Sequence, residues 1–424
     1  MLQVAFIREH KDDVITRLAK RNLDATSLIE EVIKLDEERR NLQTQLDNTL
    51  AESNTLSKDI GHLYKAGKAS EATILKEKTT QLKEASKILG DQLNEKVDAV
   101  TNVLYQIPNV PHPSVPPGST DEDNEEVFRA GTIPTLHANA KPHWELVKDL
   151  DIIDFELGTK ITGAGFPVYK GKGARLQRAL IAYFLDKNTE AGYTEVQVPH
   201  LVNEASAFGT GQLPDKDGQM YHATNVSPDL YLIPTGEVPA TNIYRDDLLS
   251  ESQLPQALTT YTPCFRVEAG SYGAHVRGLN RLHQFDKVEI LRVEDPERSY
   301  EALDDMVNHI KGILEALKLP YRILRLCGGD LGFTAALTFD FEVFSTAQDR
   351  WLEVSSVSNF ETFQANRLKL RFKNQEGKTQ LCHTLNGSSL ALPRILAGIL
   401  ENYQTENGID IPEVLIPYTN FKTI

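Results

Sequence analysis

Apolar side chains recur at alternating steps of four and three through Leu28, Val32, Leu35, Leu42, Leu46, Leu56, Ile60 and Leu63. Arg39, Thr49 and Ser53 occupy the same seam as polar interruptions. The spacing is a heptad, and it predicts a long helix that lays one narrow stripe against a partner helix. Lys65-Ala66-Gly67-Lys68-Ala69-Ser70 breaks the pattern, and a second seam runs through Leu75, Thr79, Leu82, Ser86, Leu89, Leu93 and Val100. Gly67 reads as the helix stop and Ser70 as the cap of the next helix. Two long heptad segments joined by one short loop predict an antiparallel hairpin of helices. About 35 residues per helix, at 1.5 Å of rise each, makes an arm roughly 50 Å long. Such an arm has no globular core and must project from something. Val4, Ile7, Val14, Ile15 and Leu18 predict a small helical base at its root.

The pattern changes completely after the arm. Ile107-Pro108-Asn109-Val110-Pro111-His112-Pro113-Ser114-Val115-Pro116-Pro117-Gly118, followed by an acidic run through Glu126, marks a boundary by its proline density and charge. From about residue 128 the chain reads as mixed α/β. Helices are expected at 173–190, 296–316 and 388–403, and strands at 193–199, 259–268, 282–291, 337–344 and 350–356. The strands come in pairs with tight connections and little βαβ alternation. The expectation is therefore an α+β fold, a helical hairpin followed by a mainly antiparallel sheet flanked by helices. The expected division is 1–106 for the arm, 107–127 for a linker and 128–424 for the sheet domain.

The densest chemistry lies in one pair of strands. Phe265, Val267, Val288 and Ile290 alternate with Arg266, Glu268, Lys287 and Glu289, the period of a strand that buries one face. The joining segment, Ala269 to Gly278, has too many glycines to continue either strand. One sheet face thus carries an arginine and several carboxylates beside a partly basic loop, a combination suited to holding a nucleoside triphosphate and a small zwitterion together.

Composition narrows the possibilities. The 424 residues suffice for two or three domains, and 40% hydrophobic with 25% charged residues is ordinary for a globular protein. No apolar run is long enough for a membrane span, and the N-terminus lacks a secretory pattern. Three widely spaced cysteines, Cys264, Cys327 and Cys382, match neither a disulfide framework nor a zinc site, so a reduced, cytoplasmic protein without zinc is expected. The formal net charge of −15 argues against nonspecific nucleic-acid binding. A local basic surface remains compatible with that total. Between Lys58 and Lys87 lysines outnumber acids, and Lys65, Lys68, Lys76 and Lys78 are candidate phosphate contacts. Gly165 to Gly173 superficially has the look of a P-loop, but its spacing is wrong and Gly173 stands where Ser or Thr should bind magnesium.

Three segments, in order, resemble the motifs of class II aminoacyl-tRNA synthetases. Gly192-Tyr193-Thr194-Glu195-Val196-Gln197-Val198-Pro199 after a long helix is similar to the first, Phe265-Arg266-Val267-Glu268 through Glu289 to the second, and Leu390-Ala391-Leu392-Pro393-Arg394-Ile395-Leu396 to the third. With the arm in front, the whole chain resembles the seryl-tRNA synthetases. That resemblance implies a class II catalytic domain that joins L-serine to ATP as seryl-adenylate and transfers serine to tRNA(Ser), and to tRNA(Sec) where present. It implies Arg266 on the α-phosphate and the serine carboxylate, Arg394 on the γ-phosphate, Phe285 stacked on adenine and Glu268 fixing the ring, with Val267 between them. Glu353-Val354-Ser355-Ser356 would face ATP, with Glu353 and Ser356 holding Mg2+. Thr235-Gly236-Glu237 would receive the serine amino group, and Glu289, Thr384 and Ser388 would complete the pocket. Arg277 and the arm lysines would contact tRNA. A homodimer is implied by the first motif, and the helix before it presents Leu176, Leu180 and Phe184 as candidate interface residues. The chain departs from the family in the loop Ser271-Tyr272-Gly273-Ala274-His275-Val276, which is less charged, in Val357-Ser358-Asn359-Phe360, and in Leu392-Pro393 before Arg394.

Two rival readings share these residues. An amino acid–carrier protein ligase would lack the long arm. A coiled-coil scaffold with an inactive synthetase domain would have no need of Arg266, Glu353 and Arg394.

Overall fold

The computed structural model describes residues 1–216, 218–268 and 276–424. The chain forms two compact units, one made of Leu2–Ala19 and Leu23–Pro108, the other of Met1, Lys20–Asn22 and Asn109–Ile424.

The first unit is the helical arm. Helix α1, Thr26–Lys65, and helix α2, Ala69–Leu104, have 40 and 36 residues. Cross-links from Lys78 to Glu52 at 2.7 Å and from Lys96 to Glu38 at 2.6 Å run in opposite chain directions, as an antiparallel hairpin requires. The heptad seam is the covered stripe. Two of its polar members, Ser53 at 8% exposure and Thr79 at 7%, are among its most deeply covered. Thr79 Oγ1 satisfies itself by donating to Leu75 O at 2.8 Å. Arg39 in the seam has a different explanation. It joins Arg8 and Arg40 around the buried carboxylate of Asp36, on the side where Ile7, Val14 and Leu18 of the base are buried.

The turn corrects one expectation. Gly67 sits at φ +75°, Lys68 N donates to Leu63 O at 2.9 Å and Gly67 N to Tyr64 O at 3.2 Å. This pairing closes α1, with Ala66 as its cap, Gly67 in the left-handed conformation and Lys68 donating back to the last turn. Lys68 is also the cap of α2, and Ser70 lies inside the first turn instead of capping it.

The second unit is built on an eight-stranded sheet. Its strands are β1 Glu125–Ala130, β2 Thr194–Glu195, β3 Gln256–Phe265, β4 Gln284–Glu294, β5 Tyr321–Arg325, β6 Leu337–Ser345, β7 Arg350–Asn359 and β8 His383–Ala391. The spatial order is β1-β5-β6-β7-β8-β4-β3-β2, and every pairing except the parallel β2–β3 edge is antiparallel. Helices α3 Gly171–Glu190, α4 Ser299–Ala316 and α5 Leu392–Asn402 join Val288, Ile290, Phe341, Val357 and Leu385 in one continuous apolar core.

Several boundaries differ from the sequence reading. Residues 388–391 belong to a strand, not to a helix beginning at 388. β8 is central and paired on both sides, so Ser388 lies opposite Glu289 in a ladder, and α5 starts only at Leu392, with Pro393 in its first turn. The strand expected at 193–199 is reduced to Thr194–Glu195 at the sheet edge. β1 and β5 were not anticipated; β1 is an edge strand exposed along nearly its whole length, so it shows no apolar alternation. Leu176, Leu180 and Phe184 are fully buried in the chain's own core and cannot form an interface. The proline-rich stretch is, from Asn109 on, packed into the sheet unit: Val110 and Val115 are buried, and Asn109 Nδ2 donates to Thr334 O and Phe360 O. Among the described residues no helix is long and apolar enough to cross a membrane.

Candidate active site

Lys287 and Glu289, the polar positions in the middle of β4, do not face water. Lys287 and Glu289 are 8% and 2% exposed, and the segment Thr235–Asn242 covers them. A buried charge is costly unless it is paired and hydrogen-bonded. Here it is both. Lys287 Nζ lies 2.8 Å from Glu289 Oε1 and donates to Thr235 Oγ1 at 3.0 Å. Thr235 Oγ1 lies 2.8 Å from each Glu289 oxygen, Glu237 N donates to Oε2 at 2.9 Å, and Asn386 Nδ2 donates to Oε1 at 3.3 Å. Gly236 permits this approach: a Cβ there would sit 2.8 Å from Glu289 Oε2 and 2.9 Å from Thr262 Oγ1. Glu237 is buried next to this cluster. Burial first, and then the charge of Glu289, push its carboxyl up to about 7, against Gln364, Lys287 and Arg266, which pull it down.

Beyond this cluster the cavity opens to about 800 Å³. Its wall includes Thr235, Glu237, Arg266, Glu268, Phe285, Glu353, Val354, Ser355, Ser356, Ser388 and Arg394, so the fold brings together segments that lie far apart in the sequence. Arg266 leaves the end of β3 with its guanidinium 5.2 Å from the Phe285 ring centre and Nε on Pro234 O at 3.2 Å. Glu268 is paired with Arg281. Arg394, in the first turn of α5, donates to Glu353 O at 2.9 Å, to Glu353 Oε2 at 3.1 Å and to Asn280 O at 3.1 Å. Arg266 and Arg394 are thus two guanidinium groups on the wall of one cavity.

The cavity also carries acidic side chains, Asp340, Glu342 and Glu353. β6 and β7 set Asp340 opposite Ser356 and Glu342 opposite Glu353. Burial and the neighbouring Glu353 hold the Asp340 carboxyl well above the usual range, and its Oδ1 is buried without a partner among the described residues. Oxygen donors alone, with one orphaned, suit a hard cation that keeps water and phosphate oxygens as its other ligands. Among the described residues no three His, Cys, Asp or Glu side chains cluster as a metal site.

Other expected residues lie elsewhere. Thr384 is not on the cavity wall; its hydroxyl donates to Gln364 Oε1 at 2.8 Å, and Gln364 in turn donates to Glu237 Oε1. Val267 and Gly236 are likewise absent from the cavity wall, and Glu289 lies behind Thr235, whose hydroxyl is within 2.8 Å of both its oxygens. Arg277 is exposed, 5.2 Å from the Trp144 ring centre. The departing loop at 271–276 lies outside the described residues except for Val276. Lys65, Lys68, Lys76 and Lys78 are all exposed on the arm around its turn, with Lys68 paired to Glu71 and Lys78 to Glu52.

Sequence reasoning passed over Lys287, Asn386, Gln364 and Asp340. Lys287 had a signal, a cation two residues before Glu289 on the same strand face. Asn386 and Gln364 had none, because their partners lie 97 and 127 residues away.

Comparison with known proteins places this architecture. Residues 1–111 match the family model of the seryl-tRNA synthetase N-terminal domain, and residues 221–403 match that of the class II core domain of the G, H, P, S and T synthetases. The chain is 48% identical to a serine–tRNA ligase of Salinibacter ruber over 426 residues, covering 100% of this chain and 99% of that one. It is 44% identical to the serine–tRNA ligase of Staphylococcus saprophyticus, with the same coverage of both. The crystal structure of seryl-tRNA synthetase from Pyrococcus horikoshii complexed with ATP superimposes with a TM-score of 0.91 at 32% identity, covering 100% of this chain and 99% of that one. Arm, antiparallel sheet, motif arginines and full-length similarity agree: the chain belongs to the seryl-tRNA synthetases, a family of class II aminoacyl-tRNA ligases.

Proposed function

We propose that this chain activates L-serine with ATP to seryl-adenylate, releasing pyrophosphate, and then transfers serine to the 3′ end of tRNA(Ser), and of tRNA(Sec) where that tRNA exists. The observation that carries the reading is the polar cluster of Thr235, Glu237 and Lys287, backed by the buried Glu289, on the wall of a cavity that also carries Arg266 and Arg394. In the first step a serine carboxylate oxygen forms a bond to the α-phosphorus, and the bond to the bridging oxygen of pyrophosphate breaks. Negative charge builds on the phosphoryl oxygens, and fixed guanidinium groups stabilise it in a site that needs little reorganisation. Arg266 is assigned to the α-phosphate and the incoming carboxylate, and Arg394 to the γ-phosphate once it releases Glu353. Phe285 gives adenine an aromatic face, and Glu268 the ring's polar edge.

Glu353 and Ser356 are assigned to Mg2+, with Asp340 beside them. A divalent cation held there would neutralise part of the negative charge of the phosphates. Serine offers too little apolar surface for selection, so selection falls to hydrogen bonds. Glu237 receives the ammonium, while Glu289, held ready by Lys287 and Asn386, accepts the hydroxyl; an analogue without the hydroxyl leaves that buried group short of a partner. Residues 1–106 serve as the tRNA-binding arm and 128–424 as the catalytic domain, with Arg277 near the acceptor end. The enzyme acts as a cytoplasmic homodimer with no membrane association.

Serine-dependent exchange of pyrophosphate into ATP tests activation, and transfer to tRNA rather than to a carrier protein names the acceptor. Exchange stimulated by another amino acid in preference to serine would overturn the reading. Sedimentation at micromolar concentration tests the dimer, which a stable monomer would refute.

A further inference from the structure

The carboxylate at the amino-acid end of the cavity is not free to turn. Glu237 Oε1 accepts from Gln364 Nε2 at 2.6 Å. Gln364 is buried on the short helix Thr362–Leu368, and both ends of its amide are occupied. Nε2 also donates to Thr210 O at 3.2 Å, and Oε1 accepts from the Thr384 hydroxyl at 2.8 Å. Rotating the amide by half a turn would set its carbonyl oxygen against both the Glu237 carboxylate and the Thr210 carbonyl, three acceptors without a donor. The orientation is therefore decided by its surroundings, and Thr384 supplies the proton that completes it.

We infer that Gln364 is a positioning residue for amino-acid selection: anchored by Thr384, its amide holds one oxygen of Glu237 so that the other is presented to the ammonium of the substrate. The inference rests on the reading that Glu237 receives that ammonium. It also moves Thr384 from the pocket lining to a place behind it. The charged groups that face Glu237 are Glu289 and Lys287 from β4 and Arg266 after β3. Burial and Glu289 disfavour its ionised form, whereas Gln364, Lys287 and Arg266 favour it. Only the ionised form attracts an ammonium, so removing the Gln364 donor raises the pH below which serine binding fails.

The test is pyrophosphate exchange by the full-length chain with three variants. Gln364→Met keeps the volume and removes the amide. It is expected to raise KM for serine tenfold or more, leave KM for ATP within about twofold, and shift the acid limb of kcat/KM for serine to higher pH. Thr384→Val is expected to act in the same direction with smaller size, and Thr384→Ser to recover most of that loss by restoring the hydroxyl. A folded Gln364→Met with unchanged serine KM and an unmoved acid limb overturns the inference. So does an equal rise in both KM values, the mark of a merely structural role. Should Gln364→Met fail to fold, the two Thr384 variants decide, since equal behaviour of Val and Ser overturns it as well. Glu237→Gln separates the two layers. If that variant binds serine normally, the ammonium reading itself fails. If it loses serine while Gln364→Met does not, only the role of Gln364 fails.

Discussion

The arm and the sheet unit treat polar residues in opposite ways. In the arm, Thr79 lies in the apolar seam and satisfies its hydroxyl on its own helix, four residues back. The interaction is local, and the helix supplies it whatever the partner does. In the sheet unit, Lys287 and Glu289 are buried among Thr235, Glu237 and Asn386, which come from other elements. Thr79 in the helix seam is small and self-contained. Lys287 and Glu289 at the site are charged and depend on the complete fold. The arm can therefore lose or exchange residues at little cost to its shape, while the site cannot.

The sharpest way to break this comparison is to remove the arm. Deleting residues 30–100 and joining the ends is expected to leave pyrophosphate exchange nearly intact, because every residue assigned to the chemistry lies after residue 230. Aminoacylation of tRNA should fall by about a thousandfold or more, since an arm of this length is the handle that a tRNA without a constant anticodon requires. Normal apparent tRNA affinity in the armless enzyme would show that recognition lies elsewhere.

The next effect belongs to the site. Arg394→Ala is expected to lower adenylate formation about a hundredfold, roughly 3 kcal/mol, the scale of losing one preorganised donor to transition-state charge. The fold should persist, because the Arg394 side chain is a third exposed at the cavity mouth. Exchange at the original rate in a folded variant would remove Arg394 from the mechanism.

Gly236→Ala tests how rigid the buried cluster is. The added methyl group would meet Glu289 Oε2 at 2.8 Å, and that oxygen is held by Thr235 and by the Glu237 backbone. About a tenfold loss of kcat/KM for serine is expected, with ATP binding little changed. A normal serine KM would mean that the cluster yields more easily than its hydrogen bonds indicate.

The smallest effect returns to the arm. Replacing Lys65, Lys68, Lys76 and Lys78 together by Gln should weaken tRNA binding several-fold. Each lost phosphate contact should flatten the salt dependence by roughly 0.7 to 0.9 in log–log slope. An unchanged slope would place the contacts on another part of the arm.

Legibility in the sequence followed the same division. The seam from Leu28 to Leu63 and the turn at Gly67 were readable because a heptad repeats every two turns and a glycine at φ +75° punctuates it. Even there Ser70 misled, since capping depends on how the preceding helix closes. β4, β6 and β7 were readable as strands to within a few residues, whereas the alternation read through Arg266, Val267 and Glu268 lies beyond the end of β3 at Phe265; the motifs supplied residues that the fold brings to one cavity wall. The start of α5 was not. Residues 388–391 look helical in isolation, and only their ladder with β4, which sets Ser388 opposite Glu289 and Ala391 opposite Lys287, makes them strand.

What the sequence determined by itself is whatever depends on near neighbours: the two arm helices, the strand periods, and the charged residue types carried by each motif. Tertiary structure alone decided which of those charges share a space. It covered the polar face of β4, turned Leu176, Leu180 and Phe184 inward, and placed Gln364 between Glu237 and Thr384. Each of these contacts joins residues distant in the chain, and local spacing carries no record of what will be packed against them.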